Sequence, residues 1–145
     1  MQTYTIKEAS KLSGLPESTL RYYEKMGLIS GIARDKISGY RVYTEDNLTL
    51  IATISCLNTT GMSIGDMKQY IDGIFSGDKT NTKQLDILKQ QKKILIEEEK
   101  VLALRKKYID GKIKYWELIN TNDKSGVEEL YKELLILAKK LKHTR

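Results

Sequence analysis

The sequence predicts a mainly α-helical chain carrying one small β-hairpin, a long coiled-coil helix and a short C-terminal helix. Three observations predict it. The 145 residues contain a single proline, so almost nothing interrupts backbone hydrogen bonding. A seven-residue apolar repeat runs through the second half of the chain. Near residue 35 the stretch GIARDKISGYRVY leaves helical character, with turn-forming residues around a charged tip and then apolar alternation.

The helices follow from their caps and faces. Thr5-Ile6-Lys7-Glu8 reads as a capping box opening a first helix, with Ile6, Ala9 and Leu12 inward and Ser13-Gly14 at its end. Pro16 suits the first turn of a second helix, which runs through Tyr23 and Lys25 and stops at Gly27. The hairpin comes next, with Ser38-Gly39 in or beside its turn and alternation at Tyr40 and Val42. Thr44, followed by Glu45 and Asp46, starts a third helix lined by Leu48, Ile51, Ala52, Ile54, Ser55 and Leu57. Ser63 to Asp66 reads as another capping box, opening a fourth helix with Met67, Tyr70, Ile71 and Ile74 inward. Phe75-Ser76-Gly77 and the polar run to Thr82 mark a boundary.

From Thr82 to Ile119 the chain is most periodic. Leu88, Leu95, Leu102, Ile109 and Trp116 recur every seven residues, with Ile87, Ile94, Val101, Tyr108 and Tyr115 one position earlier. Such a helix is ~57 Å long at ~1.5 Å per residue. That is too long to bury its stripe against a small domain, so a second copy is its expected partner. Gly111 is expected to weaken it by ~1 kcal/mol relative to alanine, marking where tight pairing ends. A final helix, opened by Ser125-x-x-Glu128 and lined by Val127, Leu130, Leu134, Ala138 and Leu141, is too short to cover the whole stripe. The expected divisions are 1–77, 78–120 and 121–145.

Charge and composition narrow the function. The net charge of +6 lies in residues 78–145, because residues 1–77 balance eight basic against eight acidic groups. Residues 7–41 nevertheless hold seven basic and four acidic groups, so nucleic-acid binding rests on that window. No apolar run approaches the ~20 residues that span a bilayer. The N-terminus lacks the pattern of a secretory signal, and Cys56 is a lone cysteine; a cytoplasmic protein is expected. A cofactor, a metal site and enzyme activity are not expected: there is no glycine-rich phosphate loop or metal-ligand cluster, and the one histidine is His143.

TIKEASKLSGLPESTLRYYEKMGLI, the GYRVY after it and the TGMSI before the fourth helix closely resemble the DNA-binding region of MerR-family transcription regulators. The resemblance covers residues 4–77 and, by architecture, the coiled coil. It implies a winged helix-turn-helix on a homodimer that binds a palindromic promoter operator and distorts it for RNA polymerase. Ser18, Thr19, Arg21, Tyr22 and Lys25 then face the major groove, with Thr5 and Lys7 on the first helix and Lys36, Tyr40 and Arg41 at the wing holding backbone. Arg21 and Arg41 are the strongest candidates, because guanidinium forks match phosphate geometry. Lys7 and Lys11 read equally as solvated surface, and Tyr23 reads as core rather than contact.

The resemblance also bears on the signal. Metal-sensing members use cysteine pairs, which one cysteine does not supply. About 25 residues follow the coiled coil here, so a large drug-binding domain is not expected. Cys56 matches the position of the lone cysteine in the aldehyde- and thiol-stress-responsive branch, where a thiolate attacks an electrophile. The bland alternative makes it a buried small residue beside Ile54 and Leu57. Trp116, Tyr108 and Tyr115 are either packing or the frame of a ligand pocket. Two further functions stay open: a DNA-binding accessory factor without a sensor, and a coiled-coil protein–protein adaptor.

Overall fold

The computed structural model describes residues 2–76, 81–122 and 124–144. In chain order the elements are β1 (Thr3–Tyr4), α1 (Ile6–Ser13), α2 (Glu17–Lys25), β2 (Ala33–Arg34), β3 (Arg41–Thr44), α3 (Glu45–Asn58), α4 (Ile64–Phe75), α5 (Thr82–Asn120) and α6 (Val127–Lys142). They fall into two compact units, residues 1–91 and 92–145. The expected division at 77 and 78 lies outside the described residues.

In the first unit the caps act as their residue types dictate. Thr5 Oγ accepts from the Glu8 amide while the Glu8 carboxylate accepts from the Thr5 amide, at 3.1 and 2.9 Å. Gly14 ends α1 at φ 75°, a conformation that carries a steric cost for any residue with a Cβ. Thr44 and Asn47 form the same reciprocal box at α3. At α4 Ser63 Oγ accepts from the Asp66 amide, but no return bond from Asp66 is formed among the described contacts. The aspartate side chain is one carbon shorter than the glutamate that closes such a box.

Leu20, Leu28, Ile29, Tyr43, Ile51, Ile54 and Met67 are fully buried and bring α2, the wing strand, α3 and α4 onto one core. Each contributes ~1.5–3 kcal/mol by leaving water. Three residues expected inside lie outside: Leu12 is 63% exposed, Ile74 is 46% exposed, and Ala52 is exposed as well. Leu12 and Ala52 line an open cleft between α1 and α3.

The sheet has three strands in the order β1-β3-β2, both pairings antiparallel. The hairpin was expected; β1 was not, because two residues show no period. Thr3 pairs with Thr44 and Tyr4 with Tyr43, and the Tyr4 hydroxyl donates to the Glu45 carboxylate. The opening turns of α5 also belong to this unit. Ile87 packs on its core, and the buried Gln91 donates from Nε2 to the Thr60 carbonyl at 3.0 Å.

In the second unit α6 packs on α5 of its own chain. A Cβ placed on Gly111 would overlap Leu134 Cδ2, so this glycine gives α6 its close approach. The helix continues through Gly111 to Asn120, and the glycine serves as the docking point of α6. α6 is capped by Gly126 at φ 78° rather than by the serine before it. Nearby, Tyr115 meets Trp116 edge-on at 5.4 Å and Tyr131 at 6.3 Å, with Lys112 Nζ 5.3 Å from the Tyr115 ring. Among the described residues no helix is long and apolar enough to cross a membrane.

Candidate nucleic-acid interface

α1, α2 and the β2–β3 wing leave a cleft of about 270 Å³ between them, lined by Thr5, Ile6, Lys7, Arg21, Arg34, Tyr40 and Arg41. Five of these, Thr5, Lys7, Arg21, Tyr40 and Arg41, are residues that the sequence nominated. Arg21 and Glu17 pair at 3.2 Å one helical turn apart. Arg41 Nε donates to Glu24 Oε2 at 2.6 Å, joining wing to recognition helix through two largely buried side chains. The cleft therefore gathers four cations, two with carboxylate partners.

The remaining nominees lie around this cleft. Ser18, Tyr22 and Lys25 are exposed on α2, Thr19 is half-buried, and Lys36 is exposed at the wing tip. Tyr22 is 45% exposed while Tyr23 is buried beside Leu20, dividing the two tyrosines between surface and core. Burial pushes the Tyr23 hydroxyl above its ordinary pKa. The same holds for Tyr43, where burial comes first and the Glu24 carboxylate second.

The wing turn is built by Asp35. Its carboxylate accepts from the amides of Ile37 and Ser38 at 2.9 and 2.8 Å, and its own amide donates to the Tyr40 carbonyl. Gly39 closes the turn at φ 74°. The Ser38 and then the Ile37 amide hold the Asp35 carboxyl below the usual carboxylate range. A lowered native pKa means the turn is supported above that range and loses support as pH falls through it. Asp35→Ala is therefore expected to speed hydrogen exchange at Ile37 and Ser38 at neutral pH. Acidifying the wild type should lower the protection factors of the same two amides, once the slower intrinsic exchange at low pH is allowed for.

Arg34 is the cleft cation that sequence reading missed. It stands in register opposite Arg41 across the hairpin, and its Nη1 donates to the Gly39 carbonyl at 3.2 Å. The observed register centres the turn on Ile37-Ser38; counted outward from Ser38-Gly39, Arg34 would have fallen opposite Tyr43.

Cys56 is exposed on α3, so it is not the buried small residue of the bland alternative. With Leu12, Ser13, Leu48, Ala52 and Ser55 it lines a cleft of about 250 Å³ between α1 and α3. The coiled-coil stripe is open throughout: Leu88 and Leu95 are each 41% exposed, Leu102 59%, Ile109 57% and Trp116 56%. Among the described residues no cluster of three His, Cys, Asp or Glu side chains could hold a metal ion.

Residues 4–74 match the sequence profile of the MerR HTH family regulatory proteins. An uncharacterised HTH-type transcriptional regulator of Haemophilus influenzae is 33% identical over 108 residues, 74% of this chain and 77% of its own length. The regulator AdhR of Bacillus subtilis is 38% identical over 92 residues, 63% of this chain and 65% of its own. Among solved structures, HiNmlR, described as a MerR family regulator lacking the sensor domain and bound to promoter DNA, aligns with a TM-score of 0.60. It is 28% identical, over 83% of this chain and 94% of that one. A putative MerR regulator of Listeria monocytogenes aligns at 0.64 and 28% identity, over 90% and 98%. Profile, relatives and fold agree, and the chain belongs to the MerR family of helix-turn-helix transcription regulators.

Proposed function

We propose that the protein is a cytoplasmic, homodimeric, sequence-specific transcription regulator, without enzyme activity, that binds a palindromic promoter operator and distorts it in response to a signal. The observation that carries this reading is the cleft in which recognition helix, first helix and wing place Lys7, Arg21, Arg34 and Arg41 together. Such a face fits phosphates on either side of a major groove. Ser18, Thr19, Arg21, Tyr22 and Lys25 address the groove, while Thr5, Lys7, Lys36, Tyr40 and Arg41 hold the backbone. That a similar regulator was solved on promoter DNA supports the same substrate here.

Residues 1–77 then form the DNA-binding part, 78–120 the dimerisation helix and 121–145 a helix that buttresses it. The open stripe of Leu88, Leu95, Leu102, Ile109 and Trp116 supports pairing with a second copy. Half-sites joined in this way present a bent or twisted promoter to RNA polymerase.

The signal assigned to Cys56 is a small electrophile or aldehyde. Exposure on a cleft wall supports that role, since a reacting thiolate must be reached. The test is promoter binding and transcription in vitro for wild type and Cys56→Ala, with and without formaldehyde. A wild type that binds and responds, beside a mutant that binds but does not respond, is the expected result. Equal responses would remove the cysteine from sensing, and specific binding with no response in either would favour the accessory-factor reading. Absence of specific binding in both would leave the adaptor reading.

A further inference from the structure

A cleft of about 550 Å³ lies between α5 and α6 of the same chain. The two helices run antiparallel, since Tyr131 meets Tyr115 and Leu134 meets Gly111. Buried Leu134 forms the floor, and half-buried Leu104, Leu130 and Leu137 form the walls. Lys107 and Lys140 stand exposed on the rim, and neither makes an ion pair among the described residues. At ~1.5 Å per residue Lys140 lies ~9 Å beyond Leu134, level with the turn of α5 that holds Lys107. Glu133, also on the rim, stands beside Leu134 at the other end. The cleft is thus apolar along its length, cationic at one end and anionic at the other. At ~100° per residue, Leu104, Lys107 and Gly111 point within about 40° of the direction opposite Leu102. A second copy paired along the heptad stripe therefore leaves this cleft open.

We propose that this cleft binds a small amphipathic carboxylate, an aliphatic chain ended by one anionic head. The chain lies over Leu134 between the leucine walls, and the head sits between the Lys107 and Lys140 ammonium groups. Burial of the chain supplies the affinity, because apolar surface leaves water on both partners. The charges set sign and direction: two lysines draw the carboxylate to their end, and Glu133 repels it from the other. Lysine suits the task, since three donors on a flexible stem can follow a small head. From Leu104 to Gly111 the wall runs ~10 Å at ~1.5 Å per residue, the length of a chain of about eight carbons. Ile136, 71% exposed on the rim, gains cover from such a chain. The site lies in a different compact unit from Cys56 and depends on neither the thiol reading nor the DNA-binding one. Its occupant bridges α6 to α5, so binding stabilises the folded second unit by mass action.

The experiment is equilibrium dialysis of the full chain against octanoate, octanol and octylammonium, each below its micellar concentration. Octanoate is expected to bind once per protomer, with octylammonium roughly tenfold weaker, because its cation meets two lysines, and octanol in between. Lys107→Gln and Lys140→Gln replace exposed side chains and spare the fold. Each should weaken octanoate about three- to tenfold and leave octanol unchanged. Lys139→Gln removes the same charge from a residue that does not line the cleft, and should change neither ligand. Ile136→Ser should weaken octanoate and octanol alike, severalfold. Thermal melting checks that each variant folds, and octanoate should raise the Tm of wild type more than that of the double lysine variant. No octanoate bound at low millimolar concentration overturns the site, as a cleft already filled by a second copy would require. Equal affinity for octanoate and octylammonium, or equal losses from Lys139→Gln and Lys140→Gln, overturns it as well.

Discussion

Lysine at both Leu102 and Ile109 will convert the dimer to a monomer at micromolar concentration and lower operator affinity by about 10²–10⁴-fold. The affinity loss follows from the loss of bivalency, because a monomer engages one half-site without a tethered partner for the second. The dissociation follows from the seam. These side chains are 59% and 57% exposed in the single chain, so their own fold does not need them. Across a dimer the four of them, each a little over half exposed, gain together ~3.5–7 kcal/mol by leaving water, in proportion to ~1.5–3 kcal/mol for a fully exposed side chain. Lysine reverses that gain and adds a cation facing its own copy. Sedimentation equilibrium and fluorescence anisotropy check the two halves separately. A double variant that stays dimeric would place the seam elsewhere.

Leu20→Ala is expected to cost about 3 kcal/mol, within the range for a fully buried leucine in a core that relaxes only in part. For a unit of this size that corresponds to a fall in Tm of roughly 12–24 °C. Leu20 is 0% exposed and lies one residue from Arg21, which is exposed in the cleft. Arg21→Ala should therefore show the opposite profile, with a Tm close to wild type and weaker DNA binding. Calorimetry and anisotropy on the two neighbouring variants distinguish the face of α2 that holds the fold from the face that meets DNA. Similar Tm losses in both would mean that the recognition helix is not divided in this way.

The parts of this protein that could be read in its sequence are those specified by local chemistry. Thr5 with Glu8 and Thr44 with Asn47 each close a helix end using residues three apart, so the signal and its structural effect lie in the same window. The heptad stripe is legible for a related reason, because its repeat makes a partner surface visible without any partner. What was missed depends on pairing across distance. β1 exists because β3 offers it an edge, and Thr3-Tyr4 alone has no pattern. Gln84 and Gln91 are buried where the apolar count saw only polar positions, because their surroundings come from α4 and the turn after α3. The site divides in the same way. Exposed Arg21 and Tyr40 were evident from their motifs, whereas Arg34 acquires its neighbour only through hairpin register.

The docking of Leu134 on Gly111 also sets what α5 can tolerate. Nine residues separate Leu102 from Gly111, and at about 100° per residue they face opposite sides of the helix. One side is left for the second copy and the other is taken by α6. One residue inserted between them would turn one face against the other by about 100° and swing α6 toward the seam. Insertion of about eighteen residues, five whole turns, would restore the phase at a greater separation. This stretch should therefore accept many substitutions yet resist small changes in length, so that among variants of the chain the spacing between these two positions is quantised in turns of the helix.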